Sequence, residues 1–318
     1  MSAADRIGAV VIGRNEGERL LRCLASLHGQ VGRVVYVDSG SDDGSVAAAR
    51  AAGADVVELD TAQPFTAARA RNAGREALRD DLDFVQFIDG DCELQPGWID
   101  TAFAFLDTHP KVAVACGRRR ERFPDASRYN RMIDAEWDTP VGETRACGGD
   151  ALMRISALAE VGGFNPGMIA GEEPELCFRL RRAGWGIWRL DAEMTLHDAA
   201  LERFGQWWKR TRRGGHAFAE GAAMHGRSPE RYNIRQTRSA LFWGAGVPLL
   251  ALAGALFTPW AWAVLLLWPL QIVRLGRRDG NWERAFFLTL AKIPEALGVI
   301  SYHFRRLTGG KNRLIEYK

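Results

Sequence analysis

The chain has 318 residues, 47% apolar and 25% charged, with 34 glycines and 12 prolines. That balance excludes a wholly disordered, collagen-like or coiled-coil protein and allows one large domain or two modest ones. The net charge of +3 conceals an asymmetry, since residues 1–200 hold 23 Lys/Arg against 32 Asp/Glu and residues 201–318 hold 19 against 7. An acidic front suits a metal or a polyhydroxyl ligand, whereas a basic back suits phosphate or an anionic membrane surface. Nucleic acid would also suit the back, but the apolar segments there argue for lipid instead. Five cysteines (23, 92, 116, 147, 177) are widely spaced without a CxxC pair. They fit reduced thiols in a cytosolic compartment better than a disulfide framework or a zinc site. The opening MSAADRIGAVVIGRNE carries too short an apolar run for a signal peptide, which predicts a chain that is not exported.

In chain order, IGAVVI (7–12) reads as a strand, followed from Glu16 by Leu20, Leu24 and Leu27 at helical spacing and a stop at Gly29. RVVYVD (33–38) is the next strand, and SGSDDGS leads into an alanine-rich helix ending near Gly53. ADVVEL (54–59) is a third strand, FTAARARNAGREALR (65–79) a helix and DFVQFID (83–89) a fourth strand. This alternation predicts an α/β fold with a parallel sheet, helices on both faces and ligands at the carboxyl ends of the strands. The polar, glycine-rich groups fall there: Arg14 to Glu16, Asp38 to Ser45 and Asp89 to Glu93. From about 111 the pattern loosens into mixed strands: VAVACG, then GRRRERF, a helix near 127–137 and a glycine-rich ACGGDALMR. EEPELCFRLRRAGW (172–185) reads as a helix with acids first and arginines last, matching the macrodipole, and GIWRLD (186–191) as a last strand.

Residues 239–273 carry no Asp, Glu, Lys or Arg and are bracketed by Arg238 and Arg274. Thirty-five residues exceed the roughly 20 of one straight span and fall short of two, so a hairpin of two short helices turning near Thr258-Pro259 is expected. Seven of the 11 tryptophans lie at or beyond 207, as at a membrane interface. A buried hairpin of a soluble fold is the alternative. The predicted organisation is an α/β domain over 1–200, a basic connector over 201–238 and an apolar, membrane-associated helical region over 239–318. In the connector, Lys209, Arg210, Arg212 and Arg213 suit lipid phosphates or a lipid-linked diphosphate; a solvated basic face fits equally.

IDGDCE (88–93) sets Asp89 and Asp91 one residue apart at the end of an apolar strand, where both can converge on one hard cation such as Mg²⁺ or Mn²⁺. VDSGSDDGS (37–45) reads either as an Asx-rich turn capping a helix or as a pocket in which Asp38 and Ser39 hydrogen-bond a nucleoside.

Taken together, RNE after the first strand, VDSGSDDGS after the second, ARARN on the third helix, DGD after the fourth strand and GEEPEL downstream resemble the family-2 inverting glycosyltransferases of bacterial polysaccharide and glycolipid assembly. The resemblance covers about 7–200. It implies a GT-A fold, Rossmann-like with a mixed sheet, and a nucleotide-diphosphate-sugar donor bound by the first half. It also implies a divalent metal on the DxD and single-displacement transfer. Carried onto this chain, Arg14, Glu16, Asp38, Ser39, Arg71 and Asp89 would hold the nucleotide. Asp89 and Asp91 would hold the metal, with His197 completing its shell after the last strand. Glu173 would be the base that takes the acceptor hydroxyl's proton, with Glu172 and Glu175 serving the helix terminus. Gly148, Gly149 and Asp150 would form a loop beside the acceptor. The expected partners are a nucleotide-diphosphate-sugar donor, a lipid-linked or saccharide acceptor and membrane lipids on the cytoplasmic face of the inner membrane, with no nucleic acid. A polyprenyl-phosphate glycosyltransferase and a catalytically silent, membrane-bound nucleotide-sugar scaffold are the rival readings. A Rossmann dehydrogenase is disfavoured, because the first turn, GRNEGE, lacks GxGxxG.

Overall fold

A computed structural model of the protein describes residues 4–78 and 81–309. The chain divides into two compact units, Met1–Glu202 and Arg203–Lys318. The end of the predicted third helix at Arg79 and the tail 310–318 lie outside the described residues.

The first unit is a nine-stranded sheet with helices. Its elements are β1 (Ile7–Gly13), α1 (Glu18–Leu27), β2 (Arg33–Asp38), α2 (Ser45–Ala51), β3 (Asp55–Glu58), α3 (Ala67–Ala77), β4 (Phe84–Asp89), β5 (Cys92–Leu94), α4 (Trp98–Thr108), β6 (Val112–Glu121), α5 (Arg128–Trp137), β7 (Gly142–Glu143), β8 (Ala151–Arg154), α6 (Ile155–Val161), α7 (Glu172–Arg182) and β9 (Gly186–His197). The strands run β3-β2-β1-β4-β8-β6-β9-β5, with β7 on β9. The β3-β2-β1-β4 half is parallel. β1 and β4 are buried almost throughout, and their unbroken Val/Ile/Phe runs are what a strand covered on both faces requires. Parallel register sets Gly13 opposite Asp38 and Ile12 opposite Asp89, so the three polar turns open on one edge.

β8 then runs antiparallel to β4 and to β6, while β9 runs parallel to β6 and antiparallel to β5. Two boundaries differ from the sequence expectation. GRRRE continues VAVACG as one strand, β6, so Arg118, Arg119 and Arg120 are strand residues. β9 runs on to His197, six residues past the predicted end, so His197 lies within the strand. There it pairs with Cys92 of β5 and Glu121 of β6. Arg118, Arg119 and Glu121 are buried strand residues, a composition that propensity and hydropathy count against a strand but that buried ion pairs sustain.

The second unit is helical: α8 (Phe204–His225), α9 (Ile234–Leu241), a π turn over Phe242–Gly246, α10 (Val247–Ala255), a 3₁₀ segment over Pro259–Leu266, α11 (Leu267–Asp279), α12 (Trp282–Leu290) and α13 (Lys292–Leu307). The hairpin turns where expected, with the Thr258 hydroxyl accepting from the Trp260 amide at 3.4 Å. Its two arms are unequal. α9, the π turn and α10 form a 22-residue apolar run, Ile234–Ala255, while the return arm begins as a 3₁₀ segment. A second apolar run long enough to cross a membrane lies at Trp282–Leu307, outside the predicted hairpin. Interspersed charges conceal it in the sequence, and Lys292 and Glu295 neutralise each other at 2.6 Å. Glycines set the helix spacing: a Cβ on Gly215 would lie 2.1 Å from the Glu295 carbonyl oxygen, and one on Gly298 2.1 Å from that of Arg212.

In the first unit the tightest glycine is Gly74 of α3, whose added Cβ would stand 2.3 Å from Val10 Cγ1 and 2.9 Å from Val37 Cγ2. Gly74→Ala is therefore expected to cost about 1–3 kcal/mol, the usual penalty of overpacking, despite alanine's better helix propensity. A fall in the urea midpoint at unchanged m-value checks this.

Candidate active site

At the carboxyl end of β4 the Asp89 carboxylate lies between two buried guanidinium groups. Oδ1 accepts from Arg71 Nη2 of α3 and Oδ2 from Arg119 Nη2 of β6, each at 2.9 Å. Burial alone would raise the Asp89 pKa, but the two arginines overcome it and hold the carboxyl well below the usual carboxylate range. Arg71 also donates to Glu172 Oε1 at 2.8 Å. Arg119 also donates to the Gly148 carbonyl at 2.8 Å and lies 3.1 Å from the fully buried Asp150. Asp150 in turn accepts from the Asp89 amide at 3.0 Å and the Thr195 hydroxyl at 2.9 Å. Arg119 and Glu121 were not singled out by sequence reasoning. The available signal was period two along β6, which sets 119 and 121 on one face once the arginine run is recognised as strand.

Asp91, two residues on, faces a different group. Its Oδ2 lies 3.4 Å from His197 Nε2, and the Cys92 thiol is close by. His197 Nδ1 points toward Glu121 Oε2 at 3.5 Å, and among the described residues no hydrogen bond closes on that buried nitrogen. Burial, then the positive Arg119, lower the His197 pKa, favouring the neutral ring that ligates metals. Asp91 and His197 offer oxygen and nitrogen, as Mg²⁺ or Mn²⁺ prefers, and the Cys92 sulfur lies 3.1 Å from Arg119 Nη2. A carboxylate behind the far nitrogen of a ligating histidine is a common arrangement at metal centres. The residues thus fit a hard divalent cation at Asp91 and His197. Asp89, expected in the same ligand set, has both oxygens turned to arginines.

The acids of α7 separate into three environments. Glu172 pairs with Arg71. The buried Glu173 accepts at Oε1 from the Cys147 amide (2.7 Å) and from the Cys147 and Cys177 thiols (3.0 Å each). Glu175 is bound by Arg179, one helical turn on, at 2.8 Å. The expectation that Glu172 serves only the helix terminus is therefore corrected, because its carboxylate joins the Arg71–Asp89 network. The turn 147–150 threads this site. The Cys147 amide reaches Glu173, the Gly148 carbonyl takes Arg119, Gly149 adopts φ +100° with room for no Cβ beside Arg71 (3.1 Å), and Asp150 holds the Asp89 amide.

At the ends of β1 and β2 the side chains serve mostly their own turns. Asp38 Oδ1 accepts from the Tyr36 hydroxyl at 2.9 Å, and Oδ2 from the Gly40 and Ser41 amides at 2.8 Å each. Ser39 donates its amide to Gly13. Arg14 is exposed with its guanidinium over Phe65, and Glu16 pairs with Arg19 at 2.8 Å. The Gly90 amide donates to the Ile12 carbonyl at 2.8 Å, drawing the β4 turn against the β1 turn.

This fold and site can be set beside known proteins. Residues 9–159 match the family model described as "Glycosyl transferase family 2". The chain carries a family-2 glycosyltransferase domain. A pre-mycofactocin glycosyltransferase of Mycobacterium tuberculosis is 29% identical over 209 residues, covering 60% of this chain and 42% of that protein. The succinoglycan biosynthesis protein ExoA of Rhizobium meliloti is 28% identical over 171 residues, covering 50% and 52%. The chain thus spans about half the length of these curated relatives. Among solved structures, the mannosyltransferase PcManGT from Pyrobaculum calidifontis, in complex with GDP-Man and Mn²⁺, superposes with a TM-score of 0.61 at 18% identity. It covers 93% of this chain and 87% of that one. A mycobacterial protein gives 0.54 at 21% identity, covering 71% and 79%. These likenesses show the fold, which is GT-A.

Within the glycosyltransferase domain, Asp89 and Asp91 separate by experiment. Asp89→Asn leaves two buried guanidinium groups short of a counter-charge and is expected to cost roughly 2–3 kcal/mol, below the 3–5 of a fully buried broken pair, because Asp89 keeps 29% of its side-chain surface. Asp91→Asn is expected to cost far less. A carboxyl depressed in the folded state stabilises above its unfolded pKa and loses that contribution as pH falls toward its folded value. The Asp89→Asn penalty should therefore be equal at pH 7 and pH 5 and shrink only below about pH 4, measured by denaturant titration at each pH.

Proposed function

We propose that the protein is an inverting, divalent-metal-dependent glycosyltransferase. It would transfer a hexosyl group from a nucleotide-diphosphate donor to a lipid-linked or saccharide acceptor, in polysaccharide or glycolipid assembly. The observation that carries this reading is the meeting of Asp91 with His197 beside the Asp89–Arg71–Arg119–Glu172 network, at the strand ends of a family-2 domain. PcManGT, of the same fold, holds GDP-Man and Mn²⁺.

In this reading Asp91 and His197 hold Mg²⁺ or Mn²⁺, which when bound neutralises the departing diphosphate. Asp89 positions rather than ligates: it fixes Arg71 and Arg119 at the edge of the site. The turns at Arg14–Glu16 and Asp38–Ser41, the second braced by the Asp38 carboxylate, would receive the nucleoside. Glu173 takes the proton of the attacking hydroxyl. Its three hydrogen bonds at Oε1 orient the carboxylate and leave the acceptor role to Oε2. The engagement of Oε1 also favours a second reading, transfer to a polyprenyl monophosphate, whose already ionised acceptor oxygen needs no base.

In a transfer assay with a panel of nucleotide sugars and Mn²⁺, Asp91→Asn should lower turnover at least about a hundredfold. Glu173→Gln should lower it by roughly 10²–10⁴ with donor affinity by calorimetry nearly unchanged. Near-normal turnover of Asp91→Asn overturns the metal assignment. Full activity of Glu173→Gln moves the phosphate acceptor ahead.

For the membrane, the proposal is attachment from the cytoplasmic side. The Ile234–Ala255 helix is only 17% buried, and the hairpin tip exposes Phe257 (90%) and Trp260 (84%), with arginines on both flanks. Full-length protein should sediment with anionic lipid vesicles, and Phe257→Asp/Trp260→Asp should release a large fraction into the supernatant. Equal sedimentation of the two would contradict insertion at the tip.

A further inference from the structure

Helix α7 carries Cys177 one turn after Glu173, and the 147–150 turn brings Cys147 against both. The two sulfurs are 3.9 Å apart, and each thiol lies 3.0 Å from Glu173 Oε1. A zinc ion bound tetrahedrally at about 2.3 Å to two sulfurs holds them about 3.8 Å apart, with room for a carboxylate oxygen at about 2.0–2.2 Å from the ion. The sulfur spacing already meets that requirement. A disulfide would need the sulfurs at about 2.05 Å, nearly 2 Å closer, and would give the carboxylate no part.

We propose that Cys147, Cys177 and Glu173 form a binding site for a thiophilic divalent cation, zinc, separate from the Asp91–His197 pair. The chemistry of the two sets differs as their ligands do: two sulfurs select a soft or borderline cation, whereas carboxylate and imidazole accept a hard one. Cys177 and Glu173 are buried and Cys147 is half-buried, so the ion enters on the Cys147 side and water supplies the fourth ligand. Where Glu173 is the base, as proposed above, zinc occupies its carboxylate and blocks transfer; that consequence rests on the functional reading, whereas the binding site does not.

The test uses full-length reduced protein and Co²⁺ as a spectroscopic stand-in. Expected are a near-ultraviolet thiolate-to-cobalt absorption and its loss on adding Zn²⁺. Cys147→Ser/Cys177→Ser should abolish the absorption and weaken Zn²⁺ binding at least about a hundredfold, beyond what loss of an outer partner costs. Cys92→Ser should retain both. An absorption that survives in the double variant, or vanishes in Cys92→Ser, overturns the site, as does a wild-type protein that shows no such absorption. None of these readouts requires sugar transfer, so the metal site fails or stands independently of the assignment of Glu173.

Discussion

The first unit depends on one electrostatic arrangement: the Asp89 carboxylate held between the guanidinium groups of Arg71 and Arg119. Burying two arginines is costly unless acids meet them with good geometry. Here Asp89, Glu172 and Asp150 do so, from β4, α7 and the turn before β8. Each arginine comes from a different layer, α3 or the far half of the sheet. The network therefore fastens the parallel half to the mixed half at the edge where the site lies. Neither half could carry its share of these charges alone.

The mixed half adds a second constraint. Because β9 pairs with both β5 and β6, Cys92, Glu121 and His197 form a row across three strands. Backbone ladders, rather than flexible loops, fix the distance from Asp91 to His197. A site on strand ends keeps its geometry within narrow limits.

Much of this was legible in the sequence, for physical reasons that differ from element to element. β1, β2 and β4 announce themselves because strands buried on both faces must be apolar throughout. The turn at Thr258-Pro259 is visible because proline ends a helix and threonine caps the next segment. What stayed hidden was chiefly long-range pairing. Arg119 and Glu121 resemble a solvated charge run until Asp89 and Asp150, 30 residues before and 31 after Arg119, and His197, 76 after Glu121, are known to lie against them. Asp38 looks like a ligand group, yet its oxygens go to Tyr36, Gly40 and Ser41. The three acids of α7 are equivalent by composition, and only the packing gives Glu172 to Arg71, Glu173 to two thiols and Glu175 to Arg179. The second long apolar helix, inside the region 239–318 expected to be apolar and helical, does not stand out as a span because Lys292 and Glu295 count as two charges in a sequence and as one neutral pair in the fold.

The turn 147–150 has a further consequence. Three of its four successive residues, Cys147, Gly148 and Asp150, bond to Glu173, Arg119 and the Asp89 amide in that order. Three residue steps span at most about 10 Å, so this short stretch of chain bounds the separation between the α7 acid and the end of β4. Surface loops commonly absorb an inserted or deleted residue; in this one a change of length falls between anchored positions. One residue more or less would move an anchor by about 3.3 Å and break register with every partner beyond it. Length variation in proteins built on this plan should therefore collect elsewhere around the site, leaving the count of residues in this turn unchanged.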